Sequence, residues 1–194
     1  MEKAMGKIMT AAAETRAAAG TMTNFRWKIA FLIFLISFVA YMDRVNLSVA
    51  TPVIMQEFGF TKIYMGFIQT CFFASYALMQ VPGGILAEKF GMRKTGALAI
   101  LWWSVFTALT ALAKGKISFA AVRLAFGLGE GPVFPSLGAA TFTWFNKHEK
   151  GKASSSILLG TFFGPVVGPV ATVALMGLFG WHAVFIIFGL VGIA

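Results

Sequence analysis

Charge is scarce in this chain: Asp, Glu, Lys and Arg together make up 12% of 194 residues, and 7 residues are acidic. A soluble domain carries roughly a quarter charged residues, so there is too little polar surface here to coat a water-facing globule. Cysteine is scarcer still. Cys71 is the only one and falls inside an apolar run, which excludes an intrachain disulfide and a cysteine-based metal site. His148 lies in a charged loop and His182 at the edge of an apolar run, and neither has metal-ligand spacing around it. With no nucleophile–base pair or ligand cluster in view, the sequence points away from an enzyme and implies no bound metal or cofactor. The strand-like alternation that a barrel would need is missing too.

What the chain has in quantity is apolar length. Hydrophobic residues reach 58% and the mean hydropathy is +0.81. Several runs exceed the ~18 residues that mark a helix crossing a ~30 Å hydrocarbon core. Backbone groups cannot go unpaired in lipid, so these runs must be helices, and the fold class is all-α integral membrane. Six apolar segments are expected, at 27–54, 61–87, 95–113, 117–142, 153–179 and 182–194. The last holds about 13 residues, or roughly 20 Å of helix at 1.5 Å per residue, too short to cross comfortably. The sixth helix is therefore expected to be incomplete and the chain an interrupted product; a complete six-helix protein with a short final hairpin is the alternative.

Residues 1–25 are polar, Ala-rich and Met-rich, and lack the continuous apolar core of a secretory signal. They are read as a disordered cytoplasmic tail ahead of a bundle spanning 26–194, with Met22 an alternative start. The net charge of +9 could suggest nucleic acid, but its cations sit in short clusters between apolar runs without interleaved aromatics, the pattern of membrane loops. With the N-terminus inside, the cytoplasmic side holds Lys3, Lys7, Arg16, Arg26, Lys28, Lys89, Arg93, Lys94, Lys147, Lys150 and Lys152. The other side holds Lys62, Lys114 and Lys116. Eleven against three predicts a multi-pass protein of the inner or plasma membrane with a cytoplasmic N-terminus.

The two remaining cations, Arg44 and Arg123, lie within membrane segments. A charge at the bilayer centre costs about 2.5–3.5 kcal/mol on insertion scales, so it needs a partner or a wet cavity. Asp43 and Arg44 are about 100° apart around a helix, so one can face a neighbouring helix and the other a central cavity. Arg44 then offers a fork for a substrate carboxylate and Asp43 a titratable group able to carry a proton. A structural ion pair between helices is the other reading. Arg123 and Glu130, seven residues apart, share nearly one face of the fourth segment. Around Glu130, Gly127-Leu128-Gly129-Glu130-Gly131-Pro132-Val133-Phe134-Pro135 allows close packing and bending. A carboxyl in so apolar a setting suits a proton acceptor, or else a plain salt bridge to Arg123 or Arg44. In the fifth segment Gly160, Gly164 and Gly168, with Pro165 and Pro169, place a small residue every four positions, a stripe for helix packing or for gating.

These residues point to a family. Gly84-Ile85-Leu86-Ala87-Glu88-Lys89-Phe90-Gly91-Met92-Arg93-Lys94 closely resembles the cytoplasmic loop signature of the major facilitator superfamily, with Glu88 where Asp is usual. By resemblance, Gly84, Glu88, Gly91 and Arg93 belong to a loop that takes part in the conformational cycle; a merely positive inside loop is the alternative. Tyr41-Met42-Asp43-Arg44-Val45-Asn46-Leu47, Tyr76 with Gln80-Val81-Pro82-Gly83-Gly84, the run 129–135, and Trp144-Phe145 before His148-Glu149-Lys150-Gly151 occur in that order. Together they resemble the anion:cation symporter group, which includes sugar-acid (galactonate, glucarate, hexuronate) and phthalate permeases. The resemblance covers about 25–194. It implies the N-terminal half of a twelve-helix carrier, each half a 3+3 inverted repeat. It also implies that Arg44, Tyr76 and Tyr41 contact a small organic anion, while Asp43 and Glu130, with Arg123 in support, carry the coupling. The expected function is proton-coupled symport by alternating access, driven by a proton or sodium gradient, with the missing C-terminal half required for transport. An anion or phosphate-ester antiporter and a non-transporting membrane interaction protein are the competing readings.

Overall fold

The computed structural model describes residues 25–193. The expected tail lies outside the described residues except for Phe25, which starts a helix. The helices are α1 (Phe25–Phe58), α2 (Lys62–Phe90), α3 (Met92–Thr110), α4 (Lys116–Glu130), α5 (Val133–Trp144) and α6 (Lys150–Ile193). Four stretches are long and apolar enough to cross a membrane: α1, α2, α4 with α5 taken as Lys116–Trp144, and α6. The third apolar segment is the 19-residue α3.

Local chemistry sets the breaks. Thr61 caps α2, its hydroxyl accepting from the Tyr64 N–H at 3.2 Å. One residue, Gly91, separates α2 from α3 at φ 88°, ψ 138°, a conformation costly for any side chain. Thr95 clasps that turn by donating to the Leu86 carbonyl at 3.1 Å. The fourth segment divides at Gly131-Pro132, where proline has no N–H to donate. The segment stays nearly continuous, because Gly131 N–H still reaches the Gly127 carbonyl and Ser136 N–H the Pro132 carbonyl. The fifth and sixth segments run on as one helix except at Gly180 (φ 78°, ψ 166°). The sixth therefore begins at Trp181, one residue earlier than expected.

Counting α4 with α5 as the fourth span and the two runs of α6 as the fifth and sixth, glycines mark three close approaches. A Cβ on Gly160 would stand 2.6 Å from the Phe34 carbonyl and one on Gly164 2.7 Å from Tyr41 Cβ, joining the fifth span to the first. On Gly131 it would meet Met79 Cβ at 2.7 Å, joining the fourth to the second, and on Gly189 the Ser104 carbonyl at 2.6 Å, joining the sixth to the third. Exchanging spans one with four, two with five and three with six turns the first contact into the second and leaves the third unchanged. That is the contact pattern of a 3+3 repeat. Leu78, Val81, Leu98, Phe162, Val166 and Val170 are two-thirds or more exposed. In water such a surface would be an aggregation liability; lipid or a further protein surface accommodates it.

Candidate functional site

Arg44, Tyr76 and Glu130 each come from the middle of a long span, and the fold brings them together. Arg44 Nε–H donates to Glu130 Oε1 at 2.8 Å across 86 residues of sequence. Glu130 is fully buried, whereas the Arg44 side chain keeps 14% of its surface accessible. The fourth span packs closely on both α2 and α3 at this depth. Gly127 lies against Ser75 and Gly129 against Trp102, positions where a side chain would collide. Of the expected partners for Glu130, Arg44 takes the hydrogen bond.

Four rings surround the Arg44 guanidinium. Its central carbon stands 4.4 Å from the centroid of Tyr76, 4.6 Å from Tyr41, 5.4 Å from Phe72 and 5.7 Å from Phe134. All are within the ~6 Å over which a ring face attracts a cation, most strongly where water is excluded. Tyr41 and Phe134 also meet edge to face at 5.9 Å. Phe72 and Phe134 were not singled out from sequence, although each sits one helical turn from a residue that was: Phe72 four before Tyr76, Phe134 four after Glu130.

Asp43, next in sequence to Arg44, points elsewhere. It is 1% exposed and faces a polar cluster. Asn46 Nδ2 lies 3.4 Å from its Oδ1 and Thr107 Oγ1 3.5 Å from its Oδ2. Thr172 donates to Asn46 Oδ1 at 2.6 Å, so the cluster joins α1, α3 and α6. Sequence reasoning assigned no role to these three residues, Asn46 entering only as part of the 41–47 motif. The available signal was a polar side chain inside an apolar run, where it must find a partner.

Arg123 is 2% exposed, lies over Phe126 at 5.1 Å and Phe185 at 5.5 Å, and is close enough to feel the charges of both Asp43 and Glu130. Its Nε and one terminal nitrogen are buried without a hydrogen-bond partner, as are one terminal nitrogen of Arg44 and Oε2 of Glu130. Two carboxyl groups and two guanidinium groups thus share one buried region and balance when all are ionised. A buried polar group left unpaired costs about 1–3 kcal/mol, so this cluster has unused capacity to bind.

The loop residues lie apart from this cluster. Gly84 has only an ordinary contact, 3.8 Å to Pro135 Cβ, while its neighbour Gly83 makes the close approach, 2.5 Å to Pro132 Cα. Glu88 and Arg93 are exposed on either side of the Gly91 turn.

The Major Facilitator Superfamily model matches residues 33–194. The chain is 35% identical over 185 residues to the probable galactarate/D-glucarate transporter of Bacillus subtilis, covering 90% of this chain and 40% of that protein. It is 35% identical over 168 residues to the D-galactonate transporter of Escherichia coli, with 87% and 39% covered. It is 34% identical over 169 residues to the chloroplastic sodium-dependent phosphate transport protein 1 of Arabidopsis thaliana, with 86% and 33% covered. The chain thus spans two-fifths or less of the length of these relatives. Among solved structures, a bacterial homolog of the human lysosomal transporter Spinster, inward-facing and occupied, superposes with a TM-score of 0.76 at 21% identity, covering 88% of this chain and 43% of that one. The six-span bundle, its inverted-repeat packing and these matches agree: the chain is a multi-pass membrane protein with the fold of one transporter half, and it belongs to the major facilitator superfamily.

Proposed function

We propose that this bundle is the anion-binding N-terminal half of a proton-coupled carrier for small organic anions, sugar acids foremost. The names of the relatives support the substrate class. The observation that carries the reading is the Arg44–Glu130 contact: one N–H of the guanidinium is engaged by Glu130, while a terminal nitrogen remains buried without a protein partner. A guanidinium presents a fork suited to a carboxylate, so substrate and Glu130 compete for it. Protonating Glu130 removes its charge and frees Arg44 for the anion; releasing the anion lets the pair re-form.

In this scheme Tyr76 and Tyr41 flank the anion site, Asp43 is a second proton-carrying carboxyl, and Arg123 supports Glu130. A second six-helix half closes the cavity and reads the rest of the substrate. The loop at 84–94 lies on the cytoplasmic side of the cell membrane.

The test is uptake of radiolabelled glucarate or galactonate by proteoliposomes holding the whole carrier, this bundle paired with its second half. Uptake should follow an imposed proton gradient, stop on addition of a protonophore, and fall at least tenfold in Arg44→Ala, since a charge-assisted hydrogen bond contributes about 1.5–3 kcal/mol. Unchanged substrate affinity in Arg44→Ala would sink the assignment. Uptake undiminished without any cation gradient would favour exchange, and uptake that follows a sodium gradient instead would match the relative named for sodium-dependent phosphate transport.

A further inference from the structure

A groove of about 620 Å³ runs along the outer surface between α2, α3 and the fourth span, and it shares no lining residue with the Arg44 cluster. Its walls are apolar, with Leu86, Phe90, Leu98, Trp102 and Leu128 among them, and its one charged lining residue is Lys94 at the end nearest the Gly91 turn. Phe90, Leu98 and Trp102 are each about half or more exposed, so the groove opens away from the protein. A second cation stands at the same rim, where Lys89 Nζ lies 5.5 Å over the Phe90 ring. The turn 88–94 carries Lys89, Arg93 and Lys94 against the single acid Glu88. The interior polar groups are already satisfied: the Thr95 hydroxyl donates to Leu86 and the Trp102 indole N–H to the Ala125 carbonyl at 2.8 Å. The groove therefore has nothing to offer a polar solute along its length.

We infer that this groove is a binding site for an anionic glycerophospholipid, its acyl chain along the Leu98–Trp102 wall and its phosphate at Lys94 and Lys89. The two ends of the site match the two ends of such a lipid. Apolar walls at membrane depth favour a hydrocarbon chain over anything polar, and a basic rim between membrane helices recognises an anionic headgroup. A zwitterionic lipid fills the walls equally well but gains less from the lysines.

Trp102 is a reporter inside the groove. The 194-residue chain would be reconstituted in phosphatidylcholine vesicles in which a stepwise increasing fraction of lipid carries brominated acyl chains on either phosphatidylglycerol or phosphatidylcholine. Subtracting the fluorescence of Trp102→Phe isolates the Trp102 signal from that of the other tryptophans. Half-maximal quenching of Trp102 should need at least roughly fivefold less brominated phosphatidylglycerol than brominated phosphatidylcholine, since each lysine near an anionic headgroup contributes a factor of about five. The preference should vanish in Lys89→Gln/Lys94→Gln while quenching itself persists. Equal quenching by the two lipids would reduce the groove to ordinary boundary lipid. Preference retained in the double variant would remove the headgroup assignment. No quenching by either would mean that a second copy of the chain covers the groove, and would overturn the proposal outright.

Discussion

At the scale of single residues, the buried charges make a sharp claim about stability. Glu130 is fully buried and its Oε1 accepts from Arg44. Removing one member of a buried pair strands the other and typically costs about 3–5 kcal/mol, far more than the intact pair contributes. Glu130→Ala should therefore lower the unfolding free energy by about that amount. Glu130→Gln keeps a carbonyl oxygen for the Arg44 N–H and should lose about half as much or less. Thermal unfolding of the purified chain in one detergent, with both variants in parallel, reads the ordering directly; equal stability of wild type and Glu130→Ala would show that the contact bears no weight. In the whole carrier the same Glu130→Gln change should uncouple transport, leaving anion exchange while gradient-driven accumulation is lost. Some of this was legible in the sequence and some was not. A charge within an apolar run announces itself, so Asp43, Arg44, Arg123 and Glu130 stood out at once. Which of them pair was hidden, because the Arg44–Glu130 contact spans 86 residues and depends on how the fourth span packs beside α1 and α2. Asn46, Thr107 and Thr172 received no role because an uncharged polar residue in a membrane helix carries a weaker signal than a charge.

At the scale of helices, the glycine stripe of the fifth span admits two readings, packing or gating, and the geometry speaks for packing. A Cβ on Gly164 would sit 2.7 Å from Tyr41 Cβ and 2.9 Å from the Phe38 carbonyl, nearer than such atoms can approach without a backbone shift. Gly164→Val should cost about 1–3 kcal/mol through overpacking, and by displacing Tyr41 it should weaken anion affinity as well. Gly66 supplies the contrast. It is helical, and nothing lies within 4 Å of a Cβ built there, so Gly66→Ala should be neutral or stabilise by up to about 1 kcal/mol through helix propensity. The unfolding midpoint should thus fall in Gly164→Val and hold or rise in Gly66→Ala, and a stabilising Gly164→Val would contradict the close approach. The number of spans could be read from apolar length, since that quantity is set by bilayer thickness. The joints were less legible: Gly131-Pro132 leaves the fourth span nearly continuous, while Gly180, without a neighbouring proline, turns the chain into its sixth. Both contain glycine, and the backbone separates a bend from a reversal: Gly131 stays helical at φ −52°, whereas Gly180 takes φ 78°.

At the scale of the whole molecule, the open question is which end of the bundle faces the cytoplasm, and aromatic residues do not decide it. One end joins Phe25 to Trp144 and Trp27 to Phe145, each with centroids 6.1 Å apart, beside the Arg26–Glu149 ion pair at 2.9 Å. The other end has its own set: Trp181 N–H donates to Glu57 at 2.7 Å and Tyr64 O–H to the Lys116 carbonyl at 2.7 Å. Aromatic belts form at both interfaces and carry no sign. The cations do. Among the described residues, the first end holds Arg26, Lys28, Lys89, Arg93, Lys94, Lys147, Lys150 and Lys152, against Lys62, Lys114 and Lys116 at the second. The positive-inside bias counts Lys and Arg in short connections near the span ends, which is where all of these lie. The first end should therefore be cytoplasmic. In a Cys71→Ala background, which removes the sole native thiol, a cysteine replacing the exposed Lys114 should react with a membrane-impermeant maleimide on intact cells. One replacing the exposed Lys152 should react only after the membrane is opened. The reverse pattern would invert the bundle and place the Gly91 turn, with its lysine-rimmed groove, outside the cell. Labelling of both positions on intact cells would mean that the chain inserts in two orientations, and that eight cations against three are not enough to set its topology.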